Sequence, residues 1–315
     1  MEKIERVLIA GAGSIGLTVA NTILESQKAD LRILARGERL ERYREKGLYV
    51  NGKKLQVKFA DADSKKKEDS LTWIPDLIIV ACKNHHLITI LDDMANFVGK
   101  NTLILSLLNG ITSEQTIRER YGQERTPLAM IIGTDAGHHG TETTYQNSGS
   151  IFFGDATNDT YSKRVQLIAD FFDRTGISYT IPQNMKRTLW YKFMCNVGIN
   201  QSSAILKMPY KPFQQKNSPA RNLMLSAMRE AMAVSAPEGV NLNEDDITNW
   251  LKTLDSISPA GKTSMCQDVC AGRKTEVELF AQTVVELGEK HSIQTPVNKV
   301  FYQQLRMLEA NYDLL

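Results

Sequence analysis

The sequence predicts an α/β chain in two parts, an N-terminal domain built on a parallel sheet and a C-terminal domain that is mostly α-helical. Three observations predict it. A glycine turn, Gly11-Ala12-Gly13-Ser14-Ile15-Gly16, follows the apolar run at residues 7–10 and leads into a helical stretch at residues 17–24. Continuous apolar runs of the kind found in strands buried on both faces recur at residues 77–82 and 102–108. Beyond Asn184 the strand signals stop and long helical periodicities take over. With 315 residues the chain exceeds one ordinary core, which also calls for two domains.

The composition narrows the class. Hydrophobic residues make up 42% and charged residues 23%, with a net charge of +2, so neither a disordered chain nor a basic nucleic-acid binder is expected. No signal-peptide core precedes the first strand, and no apolar stretch reaches about 18 uninterrupted residues. A cytoplasmic protein with no membrane partner is therefore expected. Four cysteines, Cys82, Cys195, Cys266 and Cys270, are too few for a disulfide framework. The i, i+4 spacing of Cys266 and Cys270 suits packing better than a metal, because no nearby histidine or second cysteine pair completes a site. The adjacent pairs His85-His86 and His138-His139 point their rings apart in a strand or helix and make poor metal ligands too.

Each element has its own reason. Strand, glycine turn and helix at residues 7–24 form the signature of a dinucleotide site, with Gly11 for the tight turn, Gly13 for close approach of a pyrophosphate, and Gly16 for helix–strand packing. The N–H groups at the helix start attract the anion. Residues 31–35 read as a second strand, and Arg36 ends it about twenty residues past the last fingerprint glycine. An acid there would take the ribose hydroxyls of NAD; Arg36, supported by Arg39, offers a planar cation to the 2′-phosphate of NADP, the alternative being a solvated arginine at a strand end. Residues 48–57, with Asn51-Gly52, read as a peripheral hairpin, and Lys65 to Asp69 as a solvated loop. The runs at 77–82 and 102–108 deliver Lys83 and Asn109-Gly110 to strand C-termini, where ligands sit in open α/β sheets. Strands at 128–132 and 151–154, separated by a glycine- and threonine-rich loop at 133–149, then a helix at 161–175 and a strand at 177–180, complete a first domain of residues 1–182 that ends near Pro182. Helices at 185–207, 220–236, 244–254, 275–290 and 296–315 fill the second, residues 183–315.

One helix carries chemistry. Between Thr188 and Leu206 the only charged side chain is Lys192, and Asn196 and Asn200 follow it at i+4 and i+8 on the same face. Burying this stripe without partners costs several kcal/mol, so it is expected to line a cavity filled by water or ligand; the alternative is an ordinary solvated face. A desolvated lysine suits proton transfer. Such a lysine needs a carboxylate or hydroxyl nearby in space to orient it, and residues 262–276 downstream offer a candidate; Gly272 breaks any helix there, and Thr275-Glu276 reads equally well as a helix start with a first-turn acid.

Taken together, these residues resemble the ketopantoate reductase (2-dehydropantoate 2-reductase) family over nearly the whole chain. The specific matches are KFMCNVGIN at 192–200 and TSMCQDVCAGRKTE at 263–276, alongside GAGSIG at 11–16, Arg36, Lys83 and Asn109-Gly110. The resemblance implies a Rossmann-type domain joined to a helical domain, with NADPH and a small 2-keto acid meeting in the cleft on hinge closure. It implies that Lys192 is the general acid, that Glu276 positions the substrate and its proton network, and that Asn196, Asn200 and Ser264 bind substrate. Asn109 would lie between cofactor and substrate. Residues 11–16 (Gly11, Ala12, Gly13, Ser14, Ile15, Gly16), Arg36 and Lys83 would bind NADPH/NADP+. Two departures bear on cofactor and side-group contacts: His86 stands where many members carry Gln, and residues 133–139 differ from the usual Thr-rich stretch. The expected reaction is reduction of 2-dehydropantoate; the alternatives are a reductase of another small 2-keto or 3-keto acid and a non-catalytic NADPH sensor, which would have no need of a proton donor. A homodimer is compatible with the apolar helical surfaces.

Overall fold

The computed structural model describes residues 2–63 and 73–314, so the lysine-rich stretch 65–69 lies outside the described residues. The chain divides into two compact units, Met1–Lys186 and Arg187–Leu315.

The first unit is organised by strands β1 (Arg6–Ala10), β2 (Asp30–Ala35), β3 (Tyr49–Val50), β4 (Lys53–Lys54), β5 (Lys58–Asp61), β6 (Leu77–Val80), β7 (Leu103–Ser106), β8 (Leu128–Ile132), β9 (Gly137–His139), β10 (Glu142–Thr144), β11 (Ser150–Gly154) and β12 (Tyr179–Thr180). Five of them form a parallel sheet in the order β5-β2-β1-β6-β7, with Val7 in register with Leu31 on one side and Leu77 on the other. The period-2 geometry of a strand sorts its side chains onto two faces. Val7, Ile9, Ile33, Ile79 and Leu105 pack with Leu17 and Ile23 of helix Ser14–Ser26 and with Phe171 and Phe172 of helix Lys163–Thr175. Leu8, Leu34, Ile78, Val80 and Ile104 pack with Leu87, Leu91 and Met94 of helix Leu87–Met94 and with Ile117 of helix Ser113–Tyr121. Because both faces are covered, the central strands had to be apolar throughout. Strand order reverses between β1 and β6, and in such sheets the crevice outside the strand C-termini at that point receives ligands.

Two smaller sheets complete this unit, β4-β3-β10-β9 and β12-β11-β8. Strands β3 and β4 pair antiparallel across Asn51 (φ 48°) and Gly52 (φ 77°), the two positive φ values that a type I′ turn requires. The stretch expected to be one long loop holds β9 and β10, which pair antiparallel with His138 opposite Thr143. His138 Nδ1 is 2.9 Å from Thr143 Oγ1, and the Asp135 carboxylate accepts the N–H groups of Gln146 and Asn147. These bonds order a segment whose short, polar strands carry too little apolar alternation to announce themselves.

The second unit is helical. Its first helix is Met185–Leu206, followed by Lys211–Gln214, Pro219–Ser235, Glu244–Ser256, Ser264–Cys270, Thr283–His291 and Pro296–Ala310. Local chemistry sets the starts: the Ser218 hydroxyl accepts the Arg221 N–H with Pro219 in the first turn, and Asn243 with Asp246 forms a capping box. Asp246 also accepts from Arg187 Nη2 on both carboxylate oxygens, at 2.8 and 2.9 Å, while Arg187 Nε donates to the Asn241 carbonyl at 3.2 Å. Glu230 accepts the N–H groups of Val297 and Asn298, serving the exposed donors at the start of helix Pro296–Ala310. The expected helix over 275–290 begins later and differently, as a π-helical turn Glu278–Gln282 running into Thr283–His291.

Candidate functional site

The glycine turn is dictated by its surroundings. Gly11 has φ +125°, and a Cβ there would stand 2.6 Å from the Ala81 carbonyl oxygen; at Gly16 it would stand 1.8 Å from the Gly11 carbonyl oxygen. Gly13 differs, because a Cβ there would meet nothing within 4 Å. The backbone of Gly13 caps helix Ser14–Ser26 in an extended conformation with no side-chain cap and no acid in the first turn. Unserved N–H groups and an open approach make this helix start suited to an anion. Ala12, Ser14 and Ile15 line it, half-buried.

Three further positions lie at strand ends. Arg36 follows β2 and caps helix Gly37–Lys46; its guanidinium is half-exposed, and Nη1 is 3.1 Å from Asp93 Oδ1. The Gly37 N–H donates to Asp63 Oδ2 at 3.2 Å. Burial pushes the Asp93 carboxyl up, Asp63 and Asp92 add to that, and Arg36 and Arg39 oppose it. Lys83 is half-buried beyond β6, just before the short 3₁₀ turn Asn84–His86, whose two histidine rings lie 4.2 Å apart and exposed. Asn109 is half-buried beyond β7, followed by Gly110 at φ +86°. The structure thus brings the glycine turn, Lys83 and Asn109 to the C-terminal ends of the three adjacent strands β1, β6 and β7, with Arg36 at the end of the neighbouring β2.

In the second unit, Lys192 and Asn196 are half-buried and Asn200 is buried on helix Met185–Leu206. Their neighbours Leu189, Trp190, Phe193 and Met194 are buried, with Trp190 set edge-on to Phe193 at 5.6 Å. Asn200 is linked onward: its carbonyl accepts the Ser203 hydroxyl, and Ser203 Oγ is 2.7 Å from Thr263 Oγ1. Thr263 caps helix Ser264–Cys270 by accepting the Cys266 N–H, which leaves Ser264 exposed at the first helical position. That helix ends at Gly272, φ +62°. Cys266 is buried against its neighbour Cys270, and burial raises its thiol to about 11.

Glu276 is buried, at 6% exposure. The helical turn starts at Glu278 rather than at Thr275-Glu276: Thr275 donates both its N–H and its hydroxyl to Glu309 Oε1, at 2.7 and 2.6 Å, while its hydroxyl oxygen accepts the Val277 N–H at 3.3 Å. Asp268 holds Arg273 and the Tyr312 hydroxyl donates to the Arg273 carbonyl, so residues 273–275 are fixed in non-helical backbone. The π-turn follows at once, and its Phe280 meets Phe193, the residue beside Lys192. Sequence reasoning found neither the π-turn nor the partners Asp93 and Glu309, which lie far along the chain from the residues they hold. Among the described residues, no group of three or more His, Cys, Asp or Glu gathers as a metal site. No described helix is long and apolar enough to cross a membrane.

Comparison with known proteins bears on both units. Residues 7–158 match the family model described as ketopantoate reductase PanE/ApbA, and residues 184–309 match that for its C-terminal part. A 2-dehydropantoate 2-reductase of Pyrococcus abyssi is 25% identical over 310 residues, covering 97% of this chain and 98% of that protein. Among solved structures, a D-mandelate dehydrogenase with NADH and anilino(oxo)acetate shares the fold with a TM-score of 0.85 at 22% identity, covering 98% of this chain and 99% of that one. A dimeric ketopantoate reductase from Staphylococcus aureus does so with a TM-score of 0.78 at 20% identity, covering 97% of this chain and 99% of that one.

Proposed function

We propose a specific reaction on a general premise: the chain belongs to the ketopantoate reductase family and is an oxidoreductase. The reaction is the NADPH-dependent reduction of 2-dehydropantoate to (R)-pantoate in the cytoplasm, a step toward pantothenate and coenzyme A. The observation that carries this reading is Lys192, the one charged side chain between Thr188 and Leu206, half-buried at the head of a face that continues through Asn196 and Asn200. A protein that only sensed a nucleotide would have no use for a proton donor held in that way.

The residues of the first unit fit a nicotinamide dinucleotide. An open helix start at Gly13 suits the pyrophosphate, Lys83 and Asn109 stand at adjacent strand ends, and Arg36 offers a half-exposed guanidinium to a 2′-phosphate. When bound, the cofactor supplies the hydride. Lys192 Nζ holds a proton for the ketone oxygen, where its positive charge offsets the negative charge that develops, and then transfers that proton to it. Asn196 and Asn200 hold substrate hydroxyl and carbonyl groups, Ser264 takes the carboxylate, and Glu276 orients the substrate and its proton network. In this reading residues 1–182 serve the cofactor and residues 183–315 serve the substrate, and the enzyme works as a homodimer, as the dimeric neighbour from Staphylococcus aureus supports.

A second reading, turnover of a different small 2-keto acid with NADH, is favoured by the likeness to D-mandelate dehydrogenase with NADH and by the Asp93 carboxylate already paired with Arg36. A panel of 2-keto acids, each offered with NADPH and with NADH and followed by nicotinamide absorbance, separates the two. Preferred turnover of 2-dehydropantoate with NADPH supports the first reading. Turnover confined to another acid supports the second, and cofactor binding without turnover of any acid removes both.

A further inference from the structure

Around the turn that carries Asn109 lies a set of buried polar groups that the proposed reaction does not use. Ser106, Ser113 and Glu114 are 0%, 1% and 2% exposed. Ser106 closes β7 and Ser113 opens helix Ser113–Tyr121, so the two serines bracket residues 107–112. Their hydroxyl oxygens are 2.8 Å apart, and the Ser113 hydroxyl donates to Glu114 Oε2 at 3.0 Å. A serine hydroxyl has one hydrogen. With that of Ser113 committed to the carboxyl, Ser106 must be the donor to Ser113, which leaves Ser106 Oγ free to accept the N–H of Leu108 at 3.4 Å. Glu114 Oε1 meanwhile accepts the N–H of Ala129 at 3.2 Å. Ala129 belongs to β8, in a different sheet from β7. One carboxyl therefore terminates a one-way chain of hydrogen bonds that starts at the residue before Asn109, and it anchors that chain to a neighbouring sheet. Burial pushes this carboxyl up, opposed by the N–H groups of Ala129 and of Glu114 itself, by Ser113 and by the charge of Arg118. Keeping an acid in so dry a place is costly unless its acceptor capacity is needed.

We infer that Glu114 is a positioning residue for Asn109, fixing through Ser113 and Ser106 the turn that presents the Asn109 side chain to the cofactor. The inference rests on the reading that Asn109 contacts the cofactor. Glu114→Gln keeps the volume but not the pattern of acceptors. Its amide NH₂ must face either the Ala129 N–H or the Ser113 hydroxyl; in the second case the Ser113 hydrogen loses the carboxyl that accepted it, and turning that hydrogen back onto Ser106 Oγ takes away the Ser106 hydrogen's own acceptor.

Titrating the purified protein with NADPH by fluorescence measures this without reference to turnover. Glu114→Gln is expected to raise the dissociation constant between about tenfold and a hundredfold, Asn109→Ala to raise it at least as much, and the double variant no further than Asn109→Ala alone. Such non-additivity marks action through Asn109, which a merely structural loss would not produce. Wild-type affinity in Glu114→Gln, or effects that multiply in the double variant, overturns the inference while leaving the role of Asn109 standing. Unchanged affinity in Asn109→Ala removes the role of Asn109, and the inference with it. Should Glu114→Gln fail to fold, Ser113→Ala cuts the same chain with the carboxyl in place and is held to the same outcomes.

Discussion

Arg36 and Asp93 form an ion pair, 3.1 Å between Nη1 and Oδ1, in which the arginine side chain is 49% exposed and the carboxylate 11%. The carboxylate is thus the fixed partner and the guanidinium the reachable one, with part of its donor fork turned to solvent.

If that fork reads a 2′-phosphate, Arg36→Ala should weaken NADPH by about 10- to 100-fold, the loss of one or two charge-assisted hydrogen bonds, and leave NADH nearly unchanged. Asp93→Asn removes a competing anion and should shift the NADPH-to-NADH affinity ratio upward. Equal responses of the two cofactors, measured by fluorescence titration, would show that Arg36 is not a phosphate reader.

Lys192→Ala should lower kcat by about 10²- to 10⁴-fold, the usual worth of a positioned general acid. NADPH binding should stay within a factor of about two, a shift well under 1 kcal/mol. Lys192→Arg keeps the charge but not a transferable proton and should recover little of the rate. Single-turnover kinetics alongside cofactor titration separates the two effects.

Gly13→Ala and Gly16→Ala, three residues apart, should fail in opposite ways. At Gly16 the new methyl collides with the Gly11 carbonyl, so the melting temperature should drop by an amount corresponding to about 1–3 kcal/mol or more. At Gly13 it meets no protein atom, and the backbone φ of −93° suits alanine. Stability should stay within about 0.5 kcal/mol, while NADPH affinity falls at least about tenfold as the methyl enters the anion approach. Unchanged affinity in Gly13→Ala would place the pyrophosphate elsewhere.

The turn after helix Pro219–Ser235 places Glu238 Oε1 2.6 Å from both Lys290 Nζ and His291 Nε2, at the end of helix Thr283–His291. Lys290 and then His291 hold the Glu238 carboxyl below its ordinary value of 4.5. A carboxyl lowered in the folded state adds stability above its unfolded value, and that contribution is lost as pH falls through the lowered one. Glu238→Gln should therefore cost about 0.5–1 kcal/mol at neutral pH, a partly exposed network being screened by solvent. The melting curves of variant and wild type should converge as the pH drops below 4.5. A gap that persists in acid would mean that the pair contributes through packing.

The first unit was legible because one physical constraint wrote it: strands covered on both faces must be apolar throughout, and the residue that ends each run lands at the ligand edge. That constraint delivered Lys83 and Asn109, and the glycines announced the turn. The Lys192 helix stood out for the same kind of reason, a single charge among residues that turned out buried. What could not be read is long-range. Asp93, Glu114 and Glu309 take their meaning from partners 57, 15 and 34 residues away, and no local period encodes such pairings. Short polar strands such as Gly137–His139 lack the apolar alternation that would have marked them.

The π-turn Glu278–Gln282 amounts to one extra residue inserted into a helix. Deleting a single residue there would restore ordinary α-helical winding, and would rotate everything just before it by about 100° about the helix axis. Glu276, two positions upstream, would swing off its present bearing while the composition of the segment hardly changed. For this stretch of chain length itself is the constraint: most single substitutions at residues 278–282 should be gentler on the orientation of Glu276 than the loss of any one of them.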